Sequence, residues 1–348
     1  MLGSSRISLL LMALMFGSAG GAAQSKVLQN RSGPPSRTIH LDVVVTSKRG
    51  VVVTGLSRQN FAIFDAKTPT AITSFEAVDE GKQPVEAILL IDAVNVGYSE
   101  IAQERIEVEK FLKSNEGQLT LPTALAVLGD KGLQMQGGYS RNGNLLASDL
   151  DKYTIGLREI GRSAGYYGAE ERLNDSLKAI KTLASYDAGR PGRKIILWVS
   201  PGWPLLSGPG VNLARSEQDA LFNQITWLSS TLREGQTSVY AINPLGVGEG
   251  VGRAFYYQQF TKGVKKPGDV DVGNLGLQVL AEQTGGLVRN STDVSGLLRE
   301  CVEDNVAYYR LSFEPAPTEK RDVYHPLRVT VARPGVTVAT STGYYAEP

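Results

Sequence analysis

The segment from Val85 to Ser99 constrains the fold of this chain more than any other. Ala87 to Ile91 is an unbroken apolar run that ends abruptly in Asp92. An apolar run without alternation is typical of a strand buried on both faces, as in a parallel sheet covered by helices. An acid at the carboxyl end of such a strand lies where open α/β sheets bind ligands. The segment therefore predicts a ligand site around Asp92, with a plain strand-to-helix loop capped by that acid as the alternative.

Strand and helix patterns alternate through residues 85–306. Further buried strands are predicted at Leu125–Leu128, Lys194–Ser200 and Ser238–Ile242. Helices are predicted from Ser99 onward and at Asn144–Leu157, after the glycine-rich loop Gly161–Gly168, and at Ser216–Glu234, Leu277–Thr284 and Val294–Asn305. This alternation favours an α/β domain with a doubly wound, mostly parallel sheet.

The flanks of this domain have a different character. Residues 38–80 and 307–348 are rich in β-branched residues, with Pro and Gly between the runs. Neither flank has enough strands for a stable sheet by itself, so we expect the two to pack together as a small β domain. Residues 24–37 are polar and contain Gly33-Pro34-Pro35, which indicates a flexible leader.

The N-terminal segment, residues 1–23, predicts export to the periplasm or the extracellular space. Arg6 precedes a short apolar core, and small residues ending at Ala23 follow it, as in a cleaved secretory signal. A retained N-terminal anchor is the alternative, and no later segment is apolar enough to span a membrane. Cys301 is the single cysteine, so no internal disulfide can form.

The net charge and the histidines exclude several functions. The formal net charge is +1, so no basic surface argues for nucleic-acid binding. His40 and His325 are the two histidines, and neither has metal-ligand spacing with another His or Cys.

In the order and spacing of its motifs, the chain resembles the von Willebrand factor A (VWFA)-related domain proteins that bacteria export. The motifs that carry this resemblance are Leu41–Thr46, Asn60–Phe64, Leu90–Asn95, Arg193–Trp203, Leu280–Gly286 and Tyr308–Pro315. The resemblance implies a Rossmann-like sheet that is used for binding rather than for chemistry.

The resemblance also implies a metal-ion-dependent adhesion site, which this sequence retains only in part. The family motif D-x-S-x-S places an acid and two hydroxyls on Mg²⁺ or a related cation, and Asp92 matches the acid. The hydroxyl positions are occupied by Val94 and Val96, which cannot ligate a cation. We therefore expect a degenerate site and no cofactor beyond a weakly bound Mg²⁺ or other divalent cation on Asp92 and Asn95.

Two further positions of the family site also depart from its pattern. The threonine of the second loop aligns near Gly165, with Ser163 as the nearest small hydroxyl. The aspartate that follows the fourth strand is replaced by Ser200. A ligand site without a metal remains a prediction for the same sheet edge.

We expect this edge to bind an unidentified protein partner, in the manner of an adhesion module. The candidate contact residues are Asp92, Asn95, Ser99, Ser163, Tyr166, Tyr167, Ser200 and Trp203. The aromatic members are predicted in exposed loops, where such side chains make good interface anchors. Alternatively, they form a local apolar cluster over the vacated metal site.

No catalytic residue is predicted, and two other functions remain as alternatives. One is a serine hydrolase that uses Ser163, because Gly161–Gly165 fits the pattern G-x-S-x-G. That motif needs a strand before it, whereas a predicted helix precedes it here, and the only downstream histidine is His325. The other alternative is a structural spacer in the cell envelope.

Overall fold

A computed structural model describes residues 38–79, 85–136, 138–153, 165–206, 212–246, 255–317 and 320–347. Its strands are β1 Ile39–Ser47, β2 Phe61–Asp65, β3 Thr68–Thr70, β4 Ser74–Val78, β5 Glu86–Asp92, β6 Gln118–Gly129, β7 Gly132–Met135, β8 Ser140–Asn142, β9 Lys194–Val199, β10 Thr237–Asn243, β11 Val288–Asn290, β12 Tyr308–Phe313, β13 Tyr324–Val331, β14 Val336–Ala339 and β15 Gly343–Tyr345. Its helices are α1 Tyr98–Leu112, α2 Gly143–Lys152, α3 Gly165–Ala188, α4 Arg215–Glu234, α5 Leu277–Gln283 and α6 Val294–Glu303. The expected leader and signal segment, residues 1–37, lie outside the described residues.

The central sheet is mixed but mostly parallel, in the order β11-β10-β9-β5-β6-β7, with β8 paired to β6. Strands β5, β6, β9, β10 and β11 run parallel, whereas β7 and β8 are antiparallel to β6. The predicted α/β class is confirmed at this level. The chain leaves β5 toward β6 on one side and later returns to β9 on the other, so the strand order reverses between β5 and β9.

The surroundings of strand β5 explain why apolar and polar residues do not alternate in its sequence. Ile88 and Leu90 pack into one apolar cluster together with residues of α3 and α4. Leu89 and Ile91 pack into a second cluster on the opposite face, together with residues of α1 and α6. Because both faces are covered by helices, every position of the run is buried.

The terminal β segments share two further sheets. Strand β12 lies between β1 and β4, and β13 lies between β2 and β15. Side chains of both four-stranded sheets form one apolar core, which includes Leu41, Ile63 and Leu311. Strands from both ends of the chain are thus needed to build either sheet.

A buried ionic group joins this β region to the central sheet. Asp42 of β1 lies 3.7 Å from Nε of Arg193, the residue before β9, and 3.2 Å from Nε of Arg310 in β12. Burial raises the pKa of Asp42, and the two guanidinium groups oppose this rise. Since Arg193 stands at the amino end of β9, the β region contacts the edge of the sheet opposite to Asp92.

Two predicted boundaries need correction. Helix α2 begins at Gly143 because the Asn142 side chain accepts a hydrogen bond from the Leu145 amide at 3.0 Å, which makes Asn142 the N-cap. It ends at Lys152, before the predicted Leu157, and residues 154–164 lie outside the described part of the chain. Helix α3 begins at Gly165, so Tyr166 and Tyr167 are helical, not in a loop as predicted.

None of the described helices is long and apolar enough to cross a membrane.

Candidate functional site

The centre of the candidate site is Asp92, the last residue of β5, which is 0% exposed. Its Oδ1 accepts hydrogen bonds from the backbone amides of Val94 at 2.9 Å and Asn95 at 3.1 Å. Its Oδ2 accepts from Nδ2 of Asn95 at 2.8 Å and from Nε1 of Trp198 at 3.0 Å. The Ser200 hydroxyl is a further hydrogen-bond partner. A carboxylate offers about four lone-pair sites, and the four hydrogen bonds from Val94, Asn95 and Trp198 are enough to occupy them.

These donors meet at Asp92 because of the strand order. Strand β9 pairs with β5 in parallel, with Leu90 opposite Trp198 and Ile91 opposite Val199. Ser200, the next residue, therefore lies beside Asp92, and Trp198 projects on the same face two residues earlier. Burial raises the pKa of the Asp92 carboxyl, and the hydrogen bonds from Asn95, Trp198 and Ser200 oppose this rise.

The two positions that carry hydroxyls in the family motif are apolar and packed. Val94 is buried in the same apolar cluster as Trp198 and Trp203. The two tryptophan rings meet edge to face with 5.0 Å between their centroids. Val96 is partly buried and packs on the opposite cluster, beneath α1. These side chains supply no oxygen ligand for a cation.

The structure changes the interpretation of several predicted contact residues. Of the two expectations for Trp203, the exposed loop is wrong and the local apolar cluster agrees with the structure, because Trp203 is only 4% exposed and packs on Trp198 and Val94. Asp92 and Ser200 are also buried, so neither reaches a partner directly. Asn95 is partly buried and Ser99 is exposed, with its hydroxyl donating to Glu100 at 2.9 Å. Ser163 lies outside the described residues.

Tyr166 and Tyr167 are the exposed aromatic members of the predicted set, at 53% and 76%. Their rings stand nearly perpendicular, with 6.0 Å between the centroids. Helix α3 is tied to the site further along, because Nδ2 of Asn95 also donates to the Ser176 hydroxyl at 2.9 Å. Ser176 in turn donates to the carbonyl of Arg172 at 2.8 Å.

The sequence-based prediction missed Glu104 of α1 and Ser176 of α3. Glu104 is buried, and neither of its carboxyl oxygens has a hydrogen-bond partner among the described residues. Burial, and then the charges of Asp92 and Glu100, raises the pKa of Glu104 to about 9. The spacing of residues in α1 indicates that Glu104 is buried. Glu104 follows Ile101 by three positions and precedes Val108 by four, so it lies on the apolar stripe of the helix. Ser176 lies within the stripe of α3 in the same way.

Further buried polar atoms at this edge have no hydrogen-bond partner among the described residues. They include Oδ1 of Asn95 and Nε1 of Trp203. Among the described residues, no group of 3 or more His, Cys, Asp or Glu side chains is placed to hold a metal ion. The described residues of this edge thus include one carboxylate with a full set of donors and one buried carboxyl with none.

No protein-family model matches this chain, and no curated protein matches it. Solved structures with a similar arrangement include the pilus adhesin SpaC from Lactobacillus rhamnosus GG, at 10% identity and a TM-score of 0.36, over 73% of this chain and 36% of the adhesin. The VWA domain of SpRpn10 matches at 11% identity and a TM-score of 0.26, over 46% of this chain and 75% of that domain. The N-terminal domain of TFIIH p34 matches at 13% identity and a TM-score of 0.29, over 63% of this chain and 97% of that domain.

This chain therefore spans 36% of the length of the adhesin. At these TM-scores the likenesses carry no argument about function.

Proposed function

We propose that this chain is an exported, non-enzymatic binding module of the von Willebrand A type, which holds a protein partner at the carboxyl edge of its central sheet without a metal ion. The observation that carries the proposal is the exposed tyrosine pair at the start of α3, next to an edge that is otherwise packed and hydrogen-bonded. Exposed aromatic side chains on a rigid helix are good anchors for a protein interface.

The metal-free part of the proposal rests on the donors around Asp92. A hard cation needs several oxygen ligands with free lone pairs. The Asp92 oxygens already accept hydrogen bonds from Val94, Asn95 and Trp198. A cation would have to displace these donors, and the valines at the hydroxyl positions would add no ligand. The residues present do not fit a divalent cation, and their hydrogen bonds take its place.

Titration calorimetry with Mg²⁺, Mn²⁺ and Ca²⁺ tests the metal-free part. We expect no heat of binding up to the millimolar range, and an unchanged free energy of unfolding when a chelator is added. Binding at micromolar concentrations that Asp92→Asn abolishes would show that a cation does displace the donors.

The binding part is tested by co-purification from the native envelope with the double variant Tyr166→Ala/Tyr167→Ala. We expect a partner that is retained by the unmodified chain and lost by the variant. Trp227→Ala is a matched control, because Trp227 is an exposed aromatic residue on α4. If partners are kept by the tyrosine variant, the alternative of an envelope spacer gains support.

Two further parts of the proposal need separate tests. Export predicts that the mature chain begins after Ala23, which N-terminal sequencing of the secreted or periplasmic protein can establish. The absence of enzyme activity predicts no labelling by a fluorophosphonate probe. Labelling that Ser163→Ala removes would instead favour the serine hydrolase.

A further inference from the structure

The protein holds one of its own arginines with two tyrosine rings and a carboxylate. The Arg190 guanidinium lies 4.6 Å from the ring centroid of Tyr139 and 5.6 Å from that of Tyr186. It also donates two hydrogen bonds to the Glu86 carboxylate, from Nε at 3.0 Å and from Nη2 at 2.6 Å. A planar guanidinium can stack on an aromatic face and pair with a carboxylate at the same time.

A second arginine, Arg193, shows a similar combination. The Arg193 guanidinium lies 5.1 Å from the ring centroid of Tyr308, and its Nε lies 3.7 Å from an oxygen of the Asp42 carboxylate. In both cases the arginine contacts a tyrosine ring and pairs with a carboxylate.

The start of α3 presents the same groups without an arginine among the described residues. Tyr166 and Tyr167 are exposed, and Glu170 and Glu171 are exposed one turn later. Residues three and four apart are neighbours on a helix surface, so each tyrosine has a glutamate beside it. No described cation forms an ion pair with either glutamate. We call these four residues the α3 tip.

The α3 tip also stands clear of the packed edge. Ser176, which hydrogen-bonds to Asn95, marks the level at which α3 passes the end of β5. Tyr166 lies ten residues before Ser176, which corresponds to about 15 Å of helix. The first described apolar side chain of α3 that is buried is Leu173. The tip is therefore reachable by an extended segment of another protein.

We propose that the α3 tip binds an arginine-bearing segment of a protein partner, with the guanidinium on a tyrosine ring and paired with Glu170 or Glu171. This inference rests on the proposed function and names the chemistry of the partner. Arginine fits better than lysine, because the lysine ammonium is a compact, strongly hydrated charge that cannot use a ring face and a carboxylate in one plane. An acidic partner is disfavoured, because it would meet the two glutamates.

The experiment uses the full mature chain and a labelled Gly-Ser peptide that carries arginines, with binding measured by fluorescence anisotropy at low salt. Peptides of the same length with citrulline or lysine in place of arginine are the matched probes. We expect the arginine peptide to bind, the lysine peptide to bind more weakly, and the citrulline peptide not to bind. Equal binding of the arginine and citrulline peptides would overturn the inference.

Variants of the tip locate the binding. Tyr167→Ala is expected to weaken binding by about fivefold, which corresponds to about 1 kcal/mol for a cation on a ring face. Tyr167→Phe keeps the ring and should bind nearly as well as the unmodified chain.

The double variant Glu170→Gln/Glu171→Gln is expected to weaken binding by about tenfold. The control, Glu300→Gln/Glu303→Gln, removes two exposed acids on α6 and should leave binding unchanged. Equal losses from the two pairs would mean nonspecific charge attraction and would overturn the proposed site.

The chain's own arginines are the competing occupant. Arg158 and Arg162 lie outside the described residues and precede the tip in sequence. If the peptide binds only after Arg158→Gln/Arg162→Gln, the tip is occupied by its own chain and the inference fails. If co-purification depends on Tyr166 and Tyr167 but no arginine peptide binds, the inference fails while the proposed function stands.

Discussion

Asp92 and Glu104 are two buried acids at the same edge of the central sheet, and their surroundings are opposite. Asp92 accepts hydrogen bonds from two amides and two side chains at distances from 2.8 to 3.1 Å. In the part of the chain that the structure describes, neither carboxyl oxygen of Glu104 has a hydrogen-bond partner. Burial raises the pKa of both acids, and among the described residues only Asp92 has donors that oppose this rise. Burial alone therefore does not fix the role of an acid, because the neighbouring donors decide whether it organises its surroundings.

Removal of the Asp92 carboxylate is expected to have the largest effect on stability. Asp92→Ala leaves the Trp198 indole, the Asn95 amide and two backbone amides without their acceptor in a buried place. We expect the free energy of unfolding to fall by about 3–5 kcal/mol. Denaturant unfolding monitored by tryptophan fluorescence measures this change.

Asp92→Asn serves as the control for Asp92→Ala because it keeps the shape of the side chain. Both Asp92 oxygens accept from donors, so an amide NH₂ at either position faces another donor, and we expect a smaller but clear loss. A loss below about 1 kcal/mol for Asp92→Ala would show that water replaces the carboxylate easily.

The pH dependence of stability tests Glu104. Its pKa is raised from 4.5 to about 9 in the folded chain. Between these values the folded state holds a proton that the unfolded state has lost, so this group makes the protein less stable as the pH rises. The expected slope is about 1.4 kcal/mol for each pH unit. Unfolding curves between pH 6.5 and pH 8.5 measure it.

Glu104→Gln supplies the matched variant for this slope. It replaces the protonated carboxyl with a neutral group of similar shape. We expect the variant to gain stability relative to the unmodified chain as the pH rises, with a flatter profile over the same range. Identical profiles for the two proteins would mean that Glu104 ionises normally in the folded state.

The smallest effect is expected from Ser200→Ala, which removes one donor from Asp92 and leaves the four hydrogen bonds from Val94, Asn95 and Trp198 in place. We expect the free energy of unfolding to fall by about 0.5–1.5 kcal/mol. Ser99→Ala is the control, because Ser99 is exposed and hydrogen-bonds to Glu100 only. A larger loss than that of Asp92→Asn would give Ser200 a structural role beyond this hydrogen bond, such as its contact with the Gly202 amide.

Much of the fold was accessible from local patterns. The apolar run of β5, the alternation of strands and helices, and the antiparallel hairpin at Gly129–Gly132 each depend on neighbours in sequence. The sequence-based prediction placed Tyr166 and Tyr167 in a loop because glycine and tyrosine are poor helix formers. The later residues of this 24-residue helix offset the free-energy cost of including them. The prediction that Trp203 is exposed was wrong, because no local pattern in the sequence shows that its ring packs on Trp198.

The order of residues indicates that a buried strand ends in an acid, and the resemblance adds that valines occupy the two hydroxyl positions after it. What surrounds that acid depends on the tertiary structure. Its donors come from the loop that follows β5 and from β9, more than a hundred residues further along the chain. Contacts between such distant residues depend on strand order and register, and the spacing of residues along the chain does not specify either.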